Sequence, residues 1–247
     1  MAVKIDPLSV VPLFLDTQGQ GKTLGFGTGF VVQHIGQPYL ITNWHVVTGR
    51  RPDSGQPISE SGAADPDRLL LWHHVVGSLG AWRVRDESLL EGGTASPRWR
   101  EHPRGREVDV VALPLNSVTS NVQFCPMDLT LAKEDILVAP GEPVSILGFP
   151  FGMSSGGRFP IWKTGHVASD IDLDYEGKPV FLIDATTKPG MSGSPVVARH
   201  IGQIRRSSGL QIGGQATRFL GVYSGRIHDE ADIGMVWKPQ VLNDILP

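Results

Sequence analysis

Short apolar runs broken by Gly, Pro, Asn and Asp recur from one end of the chain to the other, and this spacing limits the fold more than any other feature. They lie at residues 29–32, 39–42, 69–76, 108–115, 144–148, 180–184, 195–198, 219–223 and 234–237. Their lengths and β-branched content are those of strands, and most are too short to be helices. Helical periodicity is confined to residues 45–48, a single turn, and 240–246, a terminal helix after Pro239. The 30 Gly and 19 Pro supply the turns that many short strands require. The pattern predicts an all-β fold, sandwich or barrel. Stretches 49–67, 91–106 and 199–217 lack sustained alternation, are rich in turn formers and predict surface loops.

A chain of 247 residues, 40% hydrophobic and 19% charged, is long enough to bury a sizeable core as one all-β domain or two lobes. Its net charge of -3 offers no basic field for a phosphate backbone, so nucleic acid is not an expected partner. No stretch approaches the roughly 18 apolar residues of a membrane helix, so no membrane association is expected. The opening residues, interrupted by Asp6 and Pro7, do not read as a secretory leader. The one cysteine, Cys125, allows no intrachain disulfide, which points to a reducing, cytoplasmic setting. Followed by Pro126, it reads as a small buried hydrophobe. His73 and His74, adjacent on a strand, would point to opposite faces, and no ligand cluster accompanies them; neither a metal nor a cofactor is expected. Gly25-x-Gly-x-Gly is followed by strand-like residues and lacks the helix start that would hold a pyrophosphate.

Three segments carry candidate chemistry. Lys188-Pro-Gly-Met-Ser-Gly-Ser-Pro195 is a turn of small residues between two apolar runs, able to present Ser192 in a constrained position. A serine hydroxyl needs a neighbouring base to attack, and the attacked carbonyl needs donors for its developing negative oxygen. Glycines on both sides of Ser192 leave backbone N–H groups free to turn inward; a tight turn with a buried serine is the plainer alternative. The second segment joins Gly25-Phe-Gly-Thr-Gly-Phe-Val-Val to Tyr39-Leu-Ile-Thr-Asn-Trp-His-Val-Val47 as a hairpin ending in a polar, aromatic corner that holds His45. Trp44 reads there as packing. In the third, Arg106-Glu-Val-Asp-Val-Val-Ala-Leu-Pro114, Asp109 opens an apolar strand, where a carboxylate is either a solvated end or a buried partner. Glu107 and Asp86 are alternative acids on the opposite strand face and in a charged turn.

Taken together in the order His, Asp, Ser, these segments resemble the histidine, aspartate and serine motifs of the trypsin-like (chymotrypsin-fold) peptidases. Gly221-Val-Tyr-Ser-Gly225 and Gly234-Met-Val-Trp237 extend the similarity towards the terminal helix. The resemblance implies two six-stranded antiparallel β-barrels of chymotrypsin type with a short C-terminal helix. It implies a single peptidase domain over 1–247, with barrels at about 20–118 and about 135–238 and the helix at about 240–246. It implies a serine endopeptidase in which His45 is the base, Asp109 its orienter and Ser192 the nucleophile. The N–H groups of Gly190 and Ser192 would form the oxyanion hole, and the substrate would be a polypeptide.

Met191 stands where secreted members activated by cleavage carry an aspartate, so an ion pair with a freed N-terminus is excluded. Other contacts, or a regulatory protein partner, must then hold the oxyanion hole. The disulfide-free bacterial or intracellular branch is the nearer match. The resemblance maps the pocket for the side chain before the scissile bond onto Thr186, Thr187, Tyr223, Ser224, Gly225 and Gly234. With no acid at its base and glycine in its walls, it predicts cleavage after uncharged medium-to-large residues such as Leu, Met, Phe, Tyr or Gln, with Asp232 the main competing influence. A catalytically silent, peptide-binding version of the fold is the alternative. An α/β-hydrolase esterase is excluded, because it needs a different serine turn and the order Ser, acid, His.

Overall fold

The computed structural model describes residues 4–59, 65–92, 94–118, 120–228 and 230–247. The first half forms β1 (Pro12–Gly19), β2 (Lys22–His34), β3 (Gln37–Thr42), the one-turn helix α1 (Trp44–Thr48), β4 (Arg68–Val75), β5 (Ser78–Ser88), β6 (Arg100–Glu101) and β7 (Val111–Pro114). The second half forms β8 (Pro143–Gly148), β9 (Ile161–Val167), β10 (Val180–Asp184), β11 (Pro195–Arg206), β12 (Gly209–Arg226), β13 (Ile233–Trp237) and the helix α2 (Val241–Ile245). β8 to β13 close into a barrel in the order β10-β13-β12-β11-β8-β9, and the first seven strands make a sheet in the order β5-β4-β1-β2-β3-β7-β6. The all-β expectation of two antiparallel units with a short terminal helix is borne out. The first unit departs in detail from a six-stranded barrel: it is an open sheet of seven strands, and the seventh, β6, is two residues long and pairs with β7 at one edge.

The continuous apolar runs exist because the central strands of the first sheet are buried on both faces. Side chains alternate across a strand. Phe30 and Val32 of β2, Tyr39 and Ile41 of β3 and Ala112 of β7 therefore join the core between the lobes, with Leu147, Phe219 and Trp237 from the barrel and Val241 from α2. Their neighbours Val31, Leu40, Val111 and Leu113 face the other way, into a cluster with Leu13, Leu15, Leu69 and Leu71. Each such side chain contributes roughly 1.5–3 kcal/mol of burial, so the seam between the lobes is itself a core. The barrel has its own interior around Phe181, Val196, Tyr223 and Val236.

The stretch 199–217 is a correction. It was expected to be a surface loop, and it is the outer part of a long hairpin, with β11 and β12 paired from Pro195↔Val222 to Arg206↔Gly209. The ladder of backbone hydrogen bonds holds it without a second apolar face: Ile204 is buried, while Ile201, Leu210 and Ile212 stay exposed. Of stretch 49–67, residues 60–64 lie outside those described; the described part holds no strand or helix, only the isolated bridge Arg50↔Pro57. In stretch 91–106, where residue 93 is not described, the short β6 interrupts the turns.

Candidate active site

The His45 corner follows from where β3 has to stop. Thr42 ends the strand, Asn43 is extended (φ -85, ψ 151), and α1 turns once before Gly49 ends it in the left-handed region at φ 66. Asn43 Nδ2 donates to the backbone carbonyl of Asp109 at 2.6 Å, which fastens this corner to the approach to β7. Val108 and Val110 are both packed into the interlobe core, so alternation turns Asp109 the opposite way. Its carboxylate, 2% exposed, meets three donors. His45 Nδ1 lies 2.6 Å from Oδ2, the His45 backbone N–H donates to Oδ1 at 2.9 Å, and the Ser224 hydroxyl donates to Oδ2 at 2.6 Å. A carboxylate held in this way fixes the imidazole with Nδ1 as the donor, which leaves Nε2 as the ring's acceptor.

The alternative acids are elsewhere. Glu107 lies in the short turn Gly105–Glu107 and pairs with Arg104, and Asp86 on β5 pairs with Arg68.

Ser192 is carried on the turn between β10 and β11. The N–H groups of Met191, Gly193 and Ser194 donate to the carbonyls of Lys188, Tyr223 and Met191. Those of Gly190 and Ser192 have no protein acceptor among the described residues. Gly190 and Gly193 take φ of 94 and 85, a region other residues rarely adopt. Crowding makes glycine doubly necessary at the second position: a Cβ on Gly193 would sit 1.9 Å from the Thr28 carbonyl oxygen. Met191 is fully buried in the barrel core. Ser192 Oγ donates to the Ser224 carbonyl at 3.3 Å, and no hydrogen bond joins it to His45 among the described residues.

His45, Ser192 and Gly190 line one cavity of about 490 Å³, with Leu24, Phe26, Val46, Pro57, Ile58, Phe151 and Pro189 as its apolar walls. Sequence reasoning missed these walls, since they come from loops and strand edges with no shared motif. A second cavity of about 420 Å³, among Leu129, Arg218, Lys238 and Leu242 on the barrel, contains none of the candidate groups.

The residues mapped to the specificity pocket divide. Ser224 stands behind Asp109, with its carbonyl towards Ser192. The Thr187 hydroxyl is hydrogen-bonded to the Tyr223 phenol inside the barrel. A Cβ on Gly234 would come within 2.6 Å of the Tyr223 ring, so the space this glycine leaves is filled by that ring. Nothing stands within 4 Å of a Cβ built on Gly225. Thr186 is exposed and donates to Asp232 Oδ2 at 3.0 Å.

Comparison with known proteins adds independent findings. The family described as the trypsin-like peptidase domain matches residues 27–204. A comparison with curated proteins finds no match. Among solved structures, the Rv3671c protease from M. tuberculosis in its active form is similar over 96% of this chain and 81% of that one, with a TM-score of 0.50 at 20% identity. The serine endoprotease from Yersinia pestis is similar over 98% of this chain and 65% of that one, with a TM-score of 0.51 at 13% identity. At such identities the structural likeness is one of fold.

Proposed function

Since the chain belongs to the trypsin-like peptidase family, and is accordingly a serine endopeptidase acting on polypeptides, we propose that Ser192, His45 and Asp109 carry its chemistry through an acyl-enzyme. The observation that carries this reading is the Asp109 carboxylate, buried and bonded to both His45 Nδ1 and the His45 backbone, in a site whose open side holds Ser192. In the proposed cycle, Ser192 Oγ turns from the Ser224 carbonyl to His45, gives its proton to Nε2 and attacks the peptide carbonyl. The unspent N–H groups of Gly190 and Ser192 stabilise the tetrahedral oxygen. The imidazolium then protonates the leaving amine, and a water repeats the sequence to free the acid. Serine–base hydrogen bonds of this kind commonly tighten only when substrate is present.

The pocket reading favours uncharged side chains, with a size limit. Tyr223 occupies the depth that Gly234 would otherwise open, which supports cleavage after medium residues such as Leu or Met over the largest aromatic ones. Cys125 is the chain's single cysteine, and burial pushes its thiol pKa up, which fits an inert thiol in a cytoplasmic, reducing setting. The test of the reading is hydrolysis of an unfolded protein substrate by wild type and His45→Ala. Loss of about 10³-fold or more in a folded variant is expected. Wild-type rates in His45→Ala would remove His45 from the mechanism.

A further inference from the structure

The oxyanion donors named above belong to a glycine-bearing turn, and Met191 denies that turn the ion pair that an aspartate could make. Resting on the proposed serine mechanism, we propose that the hydroxyl of Thr28 is the positioning group that sets the oxyanion hole.

The argument is one of peptide geometry. In a trans peptide the C=O and N–H point in opposite directions, so holding one aims the other. The Gly190 N–H shares its peptide with the Pro189 carbonyl, which accepts from the Phe151 N–H at 2.7 Å. The Ser192 N–H shares its peptide with the Met191 carbonyl, which accepts from the Ser194 N–H at 3.0 Å. These contacts fix the peptide before each donor residue.

Thr28 fixes the peptide after each. Its hydroxyl donates to the Gly190 carbonyl at 2.7 Å, and its backbone N–H donates to the Ser192 carbonyl at 2.8 Å. The same hydroxyl accepts from the Phe149 N–H at 3.2 Å, joining the turn that carries Phe151 to the turn that carries Ser192. Thr28 has no freedom to drift: it is fully buried, its own carbonyl accepts the Thr42 hydroxyl at 2.8 Å, and Gly193 packs against that carbonyl. One side chain from the first sheet thus ties together two loops of the barrel. Both donor residues are held on either side, and glycine at 190 needs this most, since it has no side chain to restrict it.

Without the hydroxyl, the Gly190 carbonyl and the Phe149 N–H lose their common anchor, so the contact between Phe151 and Pro189 alone is left to aim the Gly190 N–H, while the His45 and Asp109 contacts stay intact. The defect therefore falls on the transition state and on tetrahedral analogues, and ground-state binding is spared. Thr28→Val removes the hydroxyl at nearly constant shape, and Thr28→Ser retains it. Steady-state kinetics on a peptide substrate should show kcat reduced about 10- to 100-fold in Thr28→Val, with KM within about twofold of wild type. Affinity for a peptide aldehyde, whose hemiacetal oxygen enters the hole, should fall in parallel, and the pH dependence of kcat/KM should keep its inflection. Thr28→Ser should stay within about threefold of wild type on every count. If Thr28→Val does not fold, Thr28→Ala takes its place with the same expectation. A folded hydroxyl-free variant with kcat within about twofold of wild type overturns the proposal, as does an equal loss in Thr28→Ser. An inert wild type, matched by an equally inert Ser192→Ala, overturns the serine mechanism itself and this inference with it.

Discussion

His73 ties the stability of the first sheet to pH. It lies on β4, 1% exposed, with Nε2 lacking a hydrogen-bond partner among the described residues. Burial pushes its pKa down from 6.5 to about 4, and the charges of Arg85 and His74 act in the same direction. An unfolded chain takes up this proton near pH 6.5, but the folded chain takes it up only near pH 4. Between those values the unfolded state holds more protons, so stability is fully present above about pH 6.5 and falls as the pH drops towards 4. The gap corresponds to about 3 kcal/mol, lost at up to about 1.4 kcal/mol per pH unit. That is a large share of a typical total of roughly 5–15 kcal/mol. His74 is lowered by burial as well and adds to the trend; its Nδ1 accepts the Gly80 N–H. Urea denaturation of wild type and His73→Leu at pH values from 7.5 to 4.5 measures the effect. The variant should lose stability less steeply, with the two curves diverging by about 2–3 kcal/mol at the acid end. Parallel curves would show that His73 is not held neutral by burial.

Asp109→Asn should lower kcat by about 10³- to 10⁴-fold in steady-state assays, because an amide can no longer hold the imidazole as donor at Nδ1 and stabilise its cation; a loss below tenfold would contradict the role given to Asp109. Gly193→Ala should fold poorly or melt many degrees lower by circular dichroism, since its Cβ would meet the Thr28 carbonyl at 1.9 Å; a wild-type melting temperature would refute that packing. Tyr223→Val should raise the rate ratio for cleavage after Phe over cleavage after Leu by about tenfold in a competition assay, at some cost in stability, because it opens space beside Gly234. An unchanged ratio would place the side-chain pocket elsewhere.

How much of this was legible depended on whether a residue's role is written in local pattern. The double-faced runs of β2, β3 and β7 stand out because both of their faces are buried. β1, β5 and β9 were missed: they mix polar and apolar residues, and β5 is largely exposed. The 199–217 hairpin was misread for the same reason, its outer part being held by backbone pairing. The approach of His45 to Asp109 could be expected only through resemblance, because nothing in the intervening chain states that the two meet. Ser224 maps by resemblance to the pocket, and its hydroxyl donates to Asp109; a serine beside a tyrosine in an apolar strand gives no local sign of that bond. Thr28 looked like one more polar residue among glycines. Its reach to Gly190, 162 residues later, is a property of the docked lobes alone.

Reaction of the intact protein with a fluorophosphonate, followed by mass mapping of the modified residue, tests the central claim most directly. A serine is phosphonylated at neutral pH only when a base and an oxyanion site activate it. The account predicts stoichiometric modification at Ser192, loss of peptide hydrolysis in step with labelling, and no labelling of Ser192→Ala or heat-unfolded protein. Hydrolysis that survives complete modification of Ser192, or equal labelling of Ser192→Ala at another residue, would contradict it.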